Sequence, residues 1–183
     1  QIEQSVLVSA DLTKALRESN SSGFESLLER TFLIAPSFDD TIVELDTILA
    51  KAKMVSVDIE TDMGAQYIKC VGLASSPTRA ICIPFVNQGQ IVWDAVREEA
   101  IWTKLRMILT SQRIYKIIQN ANFELEVLYP WIGEISPIAI DTMVAHKLCY
   151  PELQKNLALI CSLYTSEPFY KDEGKGHDIT IIE

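Results

Sequence analysis

A seven-residue segment, VSVDIET at positions 55–61, restricts the fold of this chain more than any other. Its first, third and fifth residues are β-branched and therefore favour a strand. Because side chains alternate along a strand, the two acidic residues, Asp58 and Glu60, are predicted to share the opposite face. Neighbouring carboxylates repel each other and are costly to bury unpaired. A divalent cation such as Mg²⁺ or Mn²⁺ would hold them; the alternative is a strand that ends in polar residues at the surface.

The composition predicts a folded protein of about one domain. The chain has 183 residues, of which 48% are hydrophobic and 22% are charged, which suits one domain with or without an appendage. No apolar run approaches the ~20 residues that span a bilayer, and no signal-peptide pattern opens the chain. The four cysteines are scattered without a CxxC pair. They are expected to be small buried residues in a reducing compartment rather than zinc ligands or disulfides.

The net charge of −9 argues against one class of function. A module that binds nucleic acid by bulk electrostatics needs Lys and Arg to neutralise phosphates. An enzyme that meets the phosphate through metal ions is not excluded by this charge. For such an enzyme, we expect affinity for the strand to come from elsewhere, most simply from another domain.

The order of predicted elements indicates an α/β domain preceded by a helical arm. Residues 1–35 are expected to form the arm and residues 36–183 the main domain. Ser37, with Asp40 three residues later, resembles a capping box and predicts a helix over the apolar pattern that follows. Further patterns predict strands at 54–59, 68–74, 79–85, 115–118 and 138–140, and helices at 95–109, 123–128, 143–148 and 157–163. This order predicts a mixed central sheet with flanking helices.

A second carboxylate follows the strand predicted at 115–118. The segment QNANFE at 119–124 contains an Asn-rich turn and places Glu124 in the first turn of a helix. An acid there is favoured by the helix dipole. Taken alone, Glu124 is therefore better explained by charge compensation at the helix N-terminus than by metal binding.

The two acidic segments in this order resemble a known family. They are similar to the 3′-5′ exonuclease domain of family A DNA polymerases, within the DEDD exonuclease superfamily. Further matches are DTMVAH at 141–146, YPEL at 150–153 and the Leu-rich segment Leu157–Tyr164. The YPEL and YTSEP segments look most like phage-type members. The resemblance covers about residues 36–175 and implies a ribonuclease-H-like α/β fold with a mixed central sheet.

The resemblance also implies an activity and a set of site residues. Asp58, Glu60 and Glu124 match the family's catalytic ligands of two Mg²⁺ or Mn²⁺ ions, while Thr61 and Asn120 match positions near the bound 3′ end. The implied function is metal-dependent hydrolysis of single-stranded or frayed DNA from the 3′ end. The implied role is proofreading for a polymerase domain in cis or in trans, in the cytoplasm of a bacterial or phage-infected cell.

Three other residues are predicted to serve the structure. The resemblance makes the pair Asp141 and Thr142 structural rather than catalytic. His146 lies between apolar residues of a predicted helix and is expected to be a packed or surface histidine rather than a base.

Two departures from the family pattern leave alternatives open. Glu124 stands where the family has Asp, and no Tyr-x-x-x-Asp motif follows Tyr164. The domain is therefore expected to be incomplete at its C-terminal end, unless the fourth carboxylate is supplied in another way. One alternative is a catalytically weakened exonuclease-like domain that acts as a scaffold or interaction module of a polymerase. Another is a ribonuclease of the same superfamily, because sugar selection depends on contacts near the 2′ position.

Overall fold

The computed structural model describes residues 2–20, 29–62 and 67–165. The chain divides into two compact units, residues 29–142 and residues 1–28 with 143–183, and each is described by itself. The elements of the first unit are β1 (Thr31–Ile34), α2 (Phe38–Lys51), β2 (Met54–Thr61), β3 (Ile68–Ser76), β4 (Arg79–Pro84), β5 (Val86–Asn87), β6 (Gln90–Ile91), α3 (Ala95–Leu109), β7 (Tyr115–Ile118), α4 (Ala121–Ile132) and β8 (Ile138–Asp141). Those of the second are α1 (Ile2–Ser19), α5 (Thr142–Cys149, which starts at the boundary) and α6 (Leu157–Tyr164).

The predicted α/β class is confirmed. Every helix and strand predicted between residues 37 and 164 is present, although several ends differ by a few residues. The helical arm predicted over residues 1–35 is wrong at its end, because Thr31–Ile34 is a strand that pairs in parallel with β4. This short strand depends on a partner distant in sequence, which local periodicity does not reveal. Residues 21–28 of the predicted arm and the residues from 166 onward lie outside the described part of the chain.

The main sheet has six strands in the order β1-β4-β3-β2-β7-β8. Strands β2, β3 and β4 form an antiparallel meander, while β2–β7 and β7–β8 are parallel pairs. The β-branched residues of β2 lie in one buried cluster with apolar residues of α2 and α3. Strand β2 is therefore central, with one face in the core and the acidic face opposite.

Ser37 is the predicted N-cap of helix α2, and the bond expected from Asp40 back to the Ser37 backbone N–H is replaced by one between the two side chains. The Ser37 hydroxyl accepts a hydrogen bond from the Asp40 backbone N–H at 3.2 Å and donates one to the Asp40 carboxylate at 2.7 Å. One turn further on, the buried carboxylate of Glu44 accepts two hydrogen bonds from Arg79, at 2.8 and 2.6 Å. This bidentate pair ties α2 to the start of β4.

Lys116 is a fully buried cation at the centre of β7. Its ammonium donates to the backbone carbonyls of Ser111, Ile114 and Ser136 at 2.8, 2.7 and 2.8 Å. Burial lowers the pKa of Lys116 to about 8. The three carbonyls compensate the charged form, so the side chain fastens β7 to the loops on either side of it.

The second unit contains the predicted packed histidine. His146 is buried, with Nδ1 3.1 Å from the Tyr164 hydroxyl and Nε2 3.0 Å from the Gln154 carbonyl. Lys14 of α1 donates to the Ser162 and Thr165 carbonyls at 2.7 and 2.8 Å, where it complements the C-terminal end of α6. The packing interpretation of His146 is confirmed.

Within the described ranges, no helix combines the length and apolarity needed to cross a membrane.

Replacing Lys116 with Met is expected to lower the free energy of unfolding by roughly 2–4 kcal/mol. The apolar chain is retained, but three backbone carbonyls lose their donor, and each unpaired buried polar group costs about 1–3 kcal/mol. Urea denaturation followed by circular dichroism measures the change. Lys104→Met is the matched control, because Lys104 makes a more exposed ion pair with Asp46 and such pairs contribute about 1 kcal/mol or less. Equal losses in both variants would contradict the role assigned to Lys116.

Candidate active site

Strand β2 presents Asp58 and Glu60 on one face, as predicted. Exposure alternates along the strand, with Val55, Val57 and Ile59 buried and the acidic residues exposed between them. The register shifts between Glu60 and Thr61 where β2 pairs with β3. Such irregularities re-aim side chains and are frequent beside active sites.

The parallel pairing of β7 with β2 brings the second acidic segment to the first. Val57 is in register with Ile118, so β2 and β7 end at the same edge of the sheet. Asn120 then adopts the left-handed conformation, with φ 62° and ψ 51°, and α4 begins at Ala121. Glu124 lies in the first turn of that helix and is only 4% exposed. Ligands commonly bind at this edge of α/β sheets.

Besides burial, the negative charge of Asp58 contributes to a raised pKa of Glu124. Burial, followed by the charges of Asp58 and Asp141, raises the pKa of Glu124 to about 7, although its own backbone N–H opposes the shift. Partial burial, followed by the charge of Glu60, raises the pKa of Asp58, whose side chain still reaches solvent. The three predicted carboxylates therefore belong to one electrostatic cluster in which each negative charge disfavours the next.

The donor chemistry of this cluster fits a hard divalent cation. Glu124 Oε2 is buried and has no hydrogen-bond partner among the described residues, and a bound cation would satisfy it. In the described part of the chain, no three His, Cys, Asp or Glu side chains converge closely enough to hold a metal ion as they stand. Cation binding would therefore have to draw Asp58, Glu60 and Glu124 together against their mutual repulsion.

The two predicted substrate-binding residues lie beside these carboxylates in the chain. Thr61 is the half-buried last residue of β2. Asn120 is exposed and, within the described chain, its side chain does not cap the helix that it precedes. Its amide is thus not committed to α4.

Two thiols share the acidic face, and periodicity along single strands did not reveal them. The register pairs Glu60 with Cys70, and Asp58 with Gly72, which in turn pairs with Cys82. A hydrogen bond from the Cys70 thiol lowers the pKa of Cys82 to about 7. All four cysteines are free thiols. The expectation that they are buried is wrong, because three are half-buried and Cys149 is exposed. The meander register was the signal that could have placed them.

A shallow groove of about 370 Å³ adjoins Asp58 on the same face. Its floor includes the small residues Gly72, Ala74 and Ala80, and β1 contributes the exposed side chains of Phe32 and Ile34. The groove was also missed, because β1 was not predicted.

Comparison with known proteins defines the class to which this fold and site belong. A family model described as 3′-5′ exonuclease matches residues 34–178, and the chain belongs to this family of exonuclease domains of family A DNA polymerases. Among curated proteins, the chain is 28% identical over 166 residues to DNA polymerase I of Synechocystis sp. (strain ATCC 27184 / PCC 6803 / Kazusa). The match covers 82% of this chain and 16% of that protein, so the chain spans only a small part of the relative's length.

Solved structures support the predicted ribonuclease-H-like fold. Escherichia coli RNase D, described as an exoribonuclease involved in structured RNA processing, is 18% identical with a TM-score of 0.56, over 76% of this chain and 34% of that one. Brucella melitensis NrnC is 22% identical with a TM-score of 0.53, over 77% and 63%. NrnC with bound Mg²⁺ is 21% identical with a TM-score of 0.50, over 78% and 67%. These likenesses concern the fold.

Replacing Glu124 with Gln is expected to stabilise the metal-free protein at pH 8 but not at pH 5. In the folded protein the pKa of Glu124 is raised from 4.5 to about 7. The contribution of the protonated carboxyl to the free energy of unfolding is therefore fully present at low pH, and it is lost as the pH rises through this range. At about 1.4 kcal/mol per pKa unit, the difference between 4.5 and about 7 corresponds to a loss of roughly 3–4 kcal/mol.

Denaturation of both proteins in chelator at the two pH values measures this difference. Glu126→Gln is the matched control, since Glu126 is an exposed residue of the same helix. A Glu124→Gln variant no more stable than its parent at pH 8 would show that Glu124 is not held as an unfavourable buried charge.

Proposed function

We propose that this chain is a metal-dependent 3′-5′ exonuclease that hydrolyses DNA from its 3′ end and proofreads for a polymerase in cis or in trans. The observation that carries the proposal is the position of Glu124. It is a buried carboxylate with one oxygen that has no hydrogen-bond partner among the described residues, and it lies near Asp58 at the shared edge of β2 and β7. The negative charges of Asp58, Glu60 and Glu124 repel one another, and this repulsion destabilises the folded protein unless a cation is bound.

The residues divide between two proposed ion positions. Asp58 and Glu60 would hold one ion, and Glu124 would hold the second. Two such ions, when bound, supply a water of lowered pKa and stabilise the departing 3′ oxygen. Thr61 and Asn120 are proposed to orient the terminal nucleotide. At a net charge of −9, the isolated chain is expected to hold a strand weakly without metal.

Three comparisons support this assignment. The family is one of 3′-5′ exonucleases, and the curated relative is a DNA polymerase I, which favours DNA as the substrate. A structural neighbour binds Mg²⁺, which agrees with the carboxylate donors of the site. Two neighbours named RNase D and NrnC share the fold, so RNA is the competing substrate to test.

A second candidate is a scaffold for a polymerase without catalytic activity. It is favoured by one observation: over residues 2–20, 29–62 and 67–165, no three potential ligands converge on a point. The side chain of Glu124 is one bond longer than that of the family's Asp, which agrees with a site in which the ligands no longer have the geometry for metal binding.

The decisive experiment is digestion of 5′-labelled single strands. Equal concentrations of DNA, RNA and blunt duplex DNA are incubated with the chain in Mg²⁺, in Mn²⁺ and in chelator. The proposal predicts a ladder shortened from the 3′ end of single-stranded DNA, dependent on metal and slower on RNA. A DNA strand blocked by a 3′-terminal phosphorothioate is the control for direction. Faster loss of RNA would assign the ribonuclease activity instead, and intact strands in every lane would favour the scaffold.

Asp58→Ala is expected to lower the cleavage rate by at least about 100-fold, because even a misplaced reacting group costs this much. Folding is expected to survive, since removal of one of several repelling carboxylates does not destabilise the metal-free protein. Single-turnover cleavage of the labelled DNA strand measures the effect. Ser56→Ala is the matched control, as Ser56 is exposed on the same face of β2. Equal cleavage rates for Asp58→Ala and the parent would show that Asp58 is not a catalytic residue.

Glu124→Asp tests whether side-chain length limits the activity. If the site is catalytic, shortening the side chain to the family's length is expected to raise the rate by a few-fold to about 100-fold, the range that a ~1 Å displacement can cost. The same single-turnover assay applies, with Glu126→Asp as the control on the same helix. No gain with Glu124→Asp, in a parent of barely measurable activity, would favour the scaffold.

A further inference from the structure

The start of helix α4 has an unusual cap. Most helices begin with an extended N-cap residue whose own side chain accepts an N–H of the first turn. Asn120 instead occupies the N-cap position in the left-handed conformation, and no side-chain cap hydrogen bond is formed by it in the described structure. The first turn of α4, which carries Glu124, therefore depends on another acceptor.

Asp141 supplies that acceptor from the end of β8. Its Oδ1 accepts from the Asn120 backbone N–H at 3.2 Å, and its Oδ2 accepts from the Ala121 backbone N–H at 2.8 Å. Asp141 is in register with Ile118, the last residue of β7. The carboxylate is thus placed by the sheet itself, and its charge also complements the helix N-terminus.

Thr142 extends the same contact. Its hydroxyl lies within hydrogen-bond distance of the Gln119 side-chain oxygen and 3.4 Å from the Ile118 carbonyl. The pair Asp141 and Thr142 therefore holds the backbone from Ile118 to Ala121, which is the whole connection between β7 and α4.

We infer that Asp141 is a positioning residue for Glu124: by fixing the first turn of α4 to the sheet, it sets where the Glu124 carboxylate stands relative to Asp58. A row of in-register residues, Val57, Ile118 and Asp141, joins β2, β7 and β8. Because Asp58 directly follows Val57 in β2, this row fixes the position of Asp58 relative to Asp141, the residue that caps α4. The inference rests on the proposed function, since Glu124 matters there as a metal ligand.

The test compares two helix caps of the same chemistry. Asp94 accepts N–H groups of Val96 and Arg97 at the start of α3, at 3.1 and 3.0 Å, but it is not among the groups that shift the pKa of Asp58 or Glu124. Asp141→Asn and Asp94→Asn each remove one carboxylate cap. The readout is Mn²⁺ affinity of the full chain without substrate, measured from the electron paramagnetic resonance signal of free Mn²⁺, beside the urea midpoint of each variant.

The inference predicts that both substitutions lower the urea midpoint but only Asp141→Asn weakens Mn²⁺ binding, by roughly 10-fold or more, as expected for residues that orient metal ligands. Asp141→Glu keeps the negative charge but moves the cap by one bond, so it is expected to weaken Mn²⁺ binding as well. Parent-like affinity in Asp141→Glu beside weakened binding in Asp141→Asn would assign the effect to charge and overturn the positioning role. Equal Mn²⁺ affinity in Asp141→Asn, Asp94→Asn and the parent would overturn the inference. So would a parent that binds Mn²⁺ no better than Glu124→Gln.

The outcome is separable from that of the proposed function, because Mn²⁺ binding needs no turnover. Intact DNA and RNA strands, together with Mn²⁺ binding that Asp141→Asn weakens, would refute the exonuclease and keep the positioning role. Cleavage of DNA by the parent, together with unchanged Mn²⁺ affinity in Asp141→Asn, would support the exonuclease and refute the positioning role.

Discussion

The parallel pairing of β2 with β7 is the contact on which the candidate site depends. Its register sets Val57 beside Ile118, and this alone brings the end of the acidic strand to the start of the helix that carries Glu124. The two segments are about sixty residues apart in sequence. A shift of this register by one residue would turn β7 side chains to the opposite face and move α4 away from Asp58.

Helix α4 is held at both ends, which explains how a buried acid is tolerated within it. At its C-terminal end, Trp131 stacks on Trp102 of α3 with ring centroids 5.0 Å apart, and Trp102 stacks in turn on Phe85 at 4.5 Å. At its N-terminal end, the backbone is bound by Asp141. Rigid support at both ends keeps the Glu124 side chain in its buried position.

Much of the first unit was predictable because its signals are local. Alternation in β2, the Ser37 cap and the apolar pattern of α3 each lie within one element. Strand β1 was missed because four residues do not show a period, and its pairing with β4 is non-local. The thiols and the groove escaped for a related reason: Cys70 and Cys82 meet the acidic face through strand registers, which no single strand encodes.

The sequence by itself determined the α/β class, the common face of Asp58 and Glu60, and the membership of the 3′-5′ exonuclease family, since ordered motifs and alternation are written along the chain. Only the tertiary structure decided that Glu124 is buried within electrostatic reach of Asp58, with one oxygen unpartnered in the described residues, and that Asp141 rather than Asn120 caps α4. Burial and capping partners depend on which strands become neighbours, and this is settled by packing across the sheet rather than by local pattern.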